Sequence, residues 1–179
     1  MVRWFAASIA ACVVSSGVAL QSQSPAKPPG PFAVAPPSER VEIDGSKNPE
    51  LIPEWYSWDT GFRQLHKTGT VPSMLNLTVD ETRLLEMQLE QYAGSTQQCQ
   101  RKIEGLRPLV GVAPISEINE KQRAIQLECR GRTLDIRDRL LGGVRPEAAV
   151  AIASWVENLK TGIEISVPKR ELAHFRQPR

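Results

Sequence analysis

Eight residues of the central sequence, Thr82, Leu85, Leu89, Tyr92, Thr96, Cys99, Ile103 and Leu106, follow one another in alternating steps of 3 and 4. A run of that kind fits one stripe of a helix and cannot fit a strand, whose side chains repeat every second residue. It predicts a single long helix over about 79–106 that passes through Gly94-Ser95, with Gly94 as the place for any kink, and that Pro108 ends. Thr78, followed three residues later by Glu81, supplies a capping box: each side chain satisfies the other residue's exposed backbone N–H. So long a helix buries its stripe only against other helices, and the flanking sequence provides them.

Upstream, Trp55, Trp58, Phe62 and Leu65 recur at intervals of 3, 4 and 3, which predicts a helix over about 53–67 with Pro53 in its first turn and Thr68-Gly69 at its end. Downstream, the third helix is expected over about 116–141. Ile118, Gln122, Ile125, Cys129, Ile136 and Leu140 share one arc of it, and Leu127, Leu134 and Leu141 lie on nearly the opposite side. Two apolar sides predict a central position between neighbours. Gly142-Gly143 is expected to break this helix, and Pro146 to start a fourth over about 146–161, with Ala149, Ile152, Val156 and Leu159 inward. "GIEISV" (162–167) has the alternation of a short strand, without a partner evident in the sequence. The fold expectation is all-α: a small bundle of about four helices around a long antiparallel pair, spanning 44–167, with a mobile basic tail over 168–179.

The N-terminus points to export. Arg3 precedes an apolar run from Trp4 to Leu20, and Gly17-Val18-Ala19 offers the small residues that a signal peptidase needs, so residues 1–19 read as a cleaved signal peptide. Two alternatives stay open: retention of residues 4–20 as a membrane anchor, and lipidation at Cys12, since Ile9-Ala10-Ala11-Cys12 has the form of a lipobox. Residues 21–40 contain six prolines and few large side chains, which predicts an extended, disordered linker over about 20–43. Removal of the signal leaves Cys99 and Cys129, an even count in an oxidising compartment, and both lie on inward stripes. They are expected to form a disulfide between the second and third helices.

Chemistry is sparse. The 179 residues carry 22 basic and 20 acidic side chains, a net charge of +2, too balanced to imply nucleic acid as a partner. The two histidines, His66 and His174, stand far apart, and no HExxH, CxxC, GxSxG, Walker or GxGxxG pattern occurs. No metal, cofactor or catalytic residue is therefore expected. Asp80, Glu81, Glu117 and Glu120 sit in first turns of helices, and Asp135 and Asp138 alternate with arginines on a solvated face. Trp55, Tyr56 and Trp58 form the one aromatic cluster. Trp55 and Trp58 belong to the packing stripe and Tyr56 points away from it, so the partner-binding candidates are these three residues together with the "DGSKNPELIP" lead-in.

"LNLTVDETRLLEMQL" resembles the LTxxQ repeats of the Spy/CpxP-like periplasmic helical proteins: Leu77 and Thr78 match, and Glu81 stands where that family has glutamine. In "VRPEAAVAIASWV", the second counterpart, Arg145 replaces the usual threonine or serine. The chain is also similar to small exported bacterial helical proteins. The first resemblance implies an ATP-independent chaperone acting through a concave helical surface, and no functional residue is carried over from either. The functional expectation is a non-catalytic protein of the periplasm or cell envelope that binds a protein partner or itself. It has no nucleic-acid partner, and it meets the membrane only through its N-terminal segment. The alternatives are the chaperone and a hydrolase using a pair of carboxylates.

Overall fold

The computed structural model describes residues 39–177. The expected signal peptide, Cys12, the Pro-rich segment up to 38 and the last two residues lie outside the described residues. In chain order the elements are β1 (Arg40–Asp44), α1 (Glu54–Thr68), α2 (Val79–Glu104), α3 (Ile115–Gly143), α4 (Pro146–Leu159), β2 (Glu164–Pro168) and α5 (Leu172–Arg176), joined by short 3-10 turns. The protein is mostly helical, with a two-stranded sheet that the all-α expectation lacked. Among the described residues, no helix is long and apolar enough to cross a membrane.

Local sequence explains most of these boundaries. Gly69 ends α1 with φ of 61°, a left-handed conformation that costs glycine little. The capping box opens α2: Glu81 N–H donates to Thr78 Oγ1 at 3.3 Å, and Thr78 N–H donates to Glu81 Oε2 at 2.8 Å. The helix then runs unbroken through Gly94. Its buried line is Glu81, Leu85, Gln88, Tyr92 and Cys99, so Gln88 takes the inward place expected of Leu89, which is half-buried.

The third helix ends at Gly143, within two residues of the expected stop, but the glycines themselves stay helical and the chain turns at extended Val144 and Arg145. Pro146 forces that turn by disfavouring helical geometry at the residue before it. Gly143 serves packing instead, since a Cβ there would come within 2.5 Å of Leu84 Cδ2.

The third helix is central, as its two apolar sides predict: α3 packs against α1, α2 and α4. It runs antiparallel to α2, so cross-links between them descend one helix as they ascend the other. Lys102 pairs with Glu128 at 2.6 Å, and the Cys99 and Cys129 sulfurs are bonded with their Cα atoms 6.1 Å apart. The main core gathers Trp58, Phe62 and Leu65 from α1, Leu85 and Tyr92 from α2, Leu134, Ile136 and Leu140 from α3, and Ile152 and Val156 from α4.

A second, smaller core corrects the expected linker and tail. Residues 40–43, placed in the disordered linker, belong to β1, which pairs antiparallel with β2 in the register Arg40↔Pro168 to Asp44↔Glu164. The tail beyond 168 continues into α5 and buries Phe175. Ile43, Ile52, Ile163, Val167 and Phe175 close this core at the N-terminal end of α1. The period-2 alternation of Val41 and Ile43 against Ile165 and Val167 turns one face of the sheet inward.

Two contacts between elements generate predictions. The disulfide closes a loop with a sequence separation of 30. Reduction should lower the unfolding free energy by about 3.5 kcal/mol through the released chain entropy. Urea unfolding with and without reductant measures it, and an unchanged midpoint would remove the staple.

Glu81 also accepts from the backbone N–H and the Nε of Arg145, each at 2.9 Å, so one carboxylate ties the start of α2 to the start of α4. The Arg145 guanidinium first, then the Thr78 and Arg145 backbone N–H groups, holds this carboxyl well below the ordinary glutamate value of 4.5. Because folding lowers the pKa, the stabilisation is complete above 4.5 and is lost as pH falls through the lower folded value. Glu81→Gln should therefore be less stable than wild type at neutral pH and should converge with it in acid. Parallel stability-versus-pH curves for the two proteins would refute the linkage.

Candidate binding groove

The second core positions the surface features that have chemical interest. All five residues of β2, from Glu164 to Pro168, line one side of a groove of about 780 Å³. The opposite wall is one face of α3, where Asn119, Gln122, Arg123, Gln126 and Arg130 recur at helical spacing. Tyr56 and Phe175 floor the groove, and Arg170, Glu171 and His174 close its end. A second groove of about 460 Å³ lies between α1, α2 and α3, lined among others by Trp55, Asp59, Cys99 and Cys129. Tyr56, Gln126, Arg130 and Phe175 line both and so form the partition between them.

That partition is a tightly connected aromatic and cationic unit. The rings of Trp55, Tyr56 and Phe175 meet edge-on in all three pairs, with centroids 5.3, 5.4 and 5.6 Å apart. Trp55 Nε1–H donates to the Phe175 carbonyl at 3.0 Å, which fixes α5 against α1. The Arg130 guanidinium lies 4.4 Å from the centre of a Trp55 ring. Its Nη1 donates to the carbonyls of His174 and Gln177. Arg130 is 7% exposed, and among the described residues no carboxylate forms an ion pair with it. Burial draws its pKa down, and Glu171 acts weakly in the other direction.

The remaining charges differ in how far they are engaged. Arg123 pairs with Glu171 at 3.0 Å, and this contact holds the Glu171 carboxyl below its ordinary value. Arg40 donates from Nε to Ser166 Oγ at 2.7 Å and from Nη2 to the Ser166 carbonyl. The Ser166 hydroxyl in turn donates to Glu42. His174 Nε2 lies 3.2 Å from Gln126 Oε1. Burial, then the Arg130 charge, holds the imidazole below its usual 6.5, so it is neutral at neutral pH. In the second groove, Asp59 accepts from the Tyr92 hydroxyl at 2.7 Å and pairs with Arg63 at 2.6 Å. Burial pushes the phenol up to about 12, out of range for acid–base work at neutral pH.

The aromatic candidates read from the sequence separate in the structure. Trp55 and Tyr56 join Phe175 at the partition, whereas Trp58 is buried in the main core and lines neither groove. Cys99 and Cys129 stand together as the disulfide on the wall of the second groove. Sequence reading missed Arg130, Phe175 and the amide face of α3. One signal was available: paired alternation in "RVEID" and "EISVP" at the two ends of the chain. With comparisons made against family models, curated proteins and solved structures, no match to the chain is found.

Proposed function

We propose that the protein is a non-catalytic binding protein of an exported compartment whose groove between β2 and α3 receives an extended segment of a protein partner. The observation that carries this reading is that consecutive residues of β2, of both side-chain parities, line the groove, so the groove follows the strand's outer edge. Gly45 N–H donates to the Ile163 carbonyl at 2.8 Å, which sets the alternation of the ladder: Ile43–Ile165 and Val41–Val167 are the hydrogen-bonded pairs. The backbone of Glu164 and the N–H of Ser166 therefore point away from β1 and into the groove, while the Ser166 carbonyl is taken by Arg40. An incoming extended chain finds these groups on one side and the amides of Asn119, Gln122 and Gln126 on the other. That is recognition by strand addition.

In this reading α1–α4 act as a four-helix frame built on the antiparallel α2–α3 pair. The apolar N-terminal stretch and the disulfide both suit export. The two groove carboxylates suit binding better than hydrolysis. Glu171 is ion-paired with its pKa lowered, whereas a general acid needs a raised one.

Photoreactive residues placed at Gln122 and Ser166 should trap the same partner segment in cells that make the protein, as mapped by mass spectrometry. The same residue at Arg83, exposed on α2, should not. Equal trapping from all three positions, or none from the groove, would remove this function.

A further inference from the structure

The ligand class follows from how the groove holds its charge, given that the groove is the binding site proposed above. Four arginines line it against two glutamates, Glu164 and Glu171. Arg123 is matched by Glu171, and Arg40 is engaged with Ser166. Neither Arg130 nor Arg170 forms an ion pair among the described residues; the carboxylate whose charge acts on both is Glu171, which Arg123 already engages at 3.0 Å. Arg130 is the informative one, because it is 7% exposed and its guanidinium meets carbonyls only through Nη1. Carbonyl dipoles and a ring face do not neutralise a charge, one carboxylate shared among three arginines does so only in part, and burying an incompletely neutralised cation costs free energy. Arg170 is exposed at the end of the same groove.

We propose that the groove selects an acidic, extended polypeptide segment whose backbone pairs with the outer edge of β2 and whose carboxylates face Arg130 and Arg170. A polypeptide fits better than another polyanion for two reasons. The open edge presents the backbone of Glu164 and the N–H of Ser166, two residues and about 6.8 Å apart, a spacing that an added strand reproduces. Side chains on one face of that strand recur with the same period, so acidic residues at alternate positions bring successive carboxylates to the arginine wall. Asn119, Gln122 and Gln126 carry both donors and acceptors, which suits them to the far side of a peptide backbone.

Fluorescence anisotropy on the purified protein tests this with a labelled, terminally blocked peptide of about six residues that alternates threonine and glutamate. Its counterpart with lysine in place of glutamate is the comparison, and oligogalacturonate is the anionic glycan competitor. The acidic peptide should bind, the lysine peptide should not, and added salt should weaken binding. Arg170→Glu, at an exposed position, should lower affinity roughly tenfold or more. Ser166→Pro should lower affinity further than Ser166→Ala, which removes the same hydroxyl from Arg40 and Glu42 but keeps the outward N–H, whereas Arg83→Glu should leave affinity unchanged. Circular dichroism of each variant confirms that the fold is intact.

Equal binding of the two peptides, or acidic-peptide binding indifferent to Arg170→Glu and no weaker with Ser166→Pro than with Ser166→Ala, would overturn the proposal. Oligogalacturonate binding in place of the peptide would also overturn it, by assigning the groove to a glycan. A partner trapped from both walls of the groove together with a flat charge series would remove the acidic ligand and leave the binding function standing.

Discussion

The pairing of β1 with β2 is the contact on which the rest of the surface chemistry depends. A two-stranded sheet is marginal alone in water. Here its inner face, with Ile43 and Val167 buried, closes over Ile52 and the start of α1. The return of β2 brings α5 to the same place, and from there each consequence follows by contact. Phe175 reaches Trp55 and Tyr56, its carbonyl takes the indole N–H, and the carbonyls of His174 and Gln177 become acceptors for Arg130. Without the strand pair, Arg130 would be a solvated arginine on α3, and no second wall would face the amide stripe.

The two cores therefore have different physical characters. The main core is apolar, is formed by α1–α4, and is held in register at its margins by the covalent disulfide toward one end of the α2–α3 pair and by the Glu81–Arg145 ion pair at the other. The second core is small and mixes rings with a buried cation. Burying Arg130 contributes less to stability than an apolar residue of that size would, because its desolvation is offset by dipoles, a ring face and the charge of a Glu171 already paired with Arg123. Such a residue is retained more readily where a ligand completes its environment than where packing alone matters.

Interactions local in sequence were legible, and those spanning the chain were not. The stripe of α2, the capping box and the two-sided pattern of α3 each need only nearby residues, and each corresponds to an element of the structure. Cys99 and Cys129 could be paired because both lie on inward stripes of helices that a loop makes neighbours. The partner of "EISVP" lies more than a hundred residues away, beside a Pro-rich segment whose composition conceals the short alternation of "RVEID". That single omission hid Phe175 and turned α5 into a tail. It also left the site half described: Tyr56 stood out as the aromatic off the packing stripe, but nothing near it in sequence announces Arg130. Gly142-Gly143 placed the end of α3 within two residues, but not its cause. Glycine permits a break without requiring one, and the close approach of Leu84 gives Gly143 a packing role inside the helix.

The open edge of β2 would be a liability unless it were restricted, since an unpaired strand invites copies of itself. The restrictions are visible and incomplete. Pro168 has no N–H to offer, and Arg40 from the neighbouring strand takes the Ser166 carbonyl. The wall of α3 stands opposite this edge across the groove. What these devices leave uncovered is the short stretch from Glu164 to Ser166, flanked by amides and incompletely neutralised arginine charge. Protection against self-pairing required covering the whole edge. Covering only its ends, and setting charge and amides beside the middle, is the arrangement expected of an edge kept for a chosen chain.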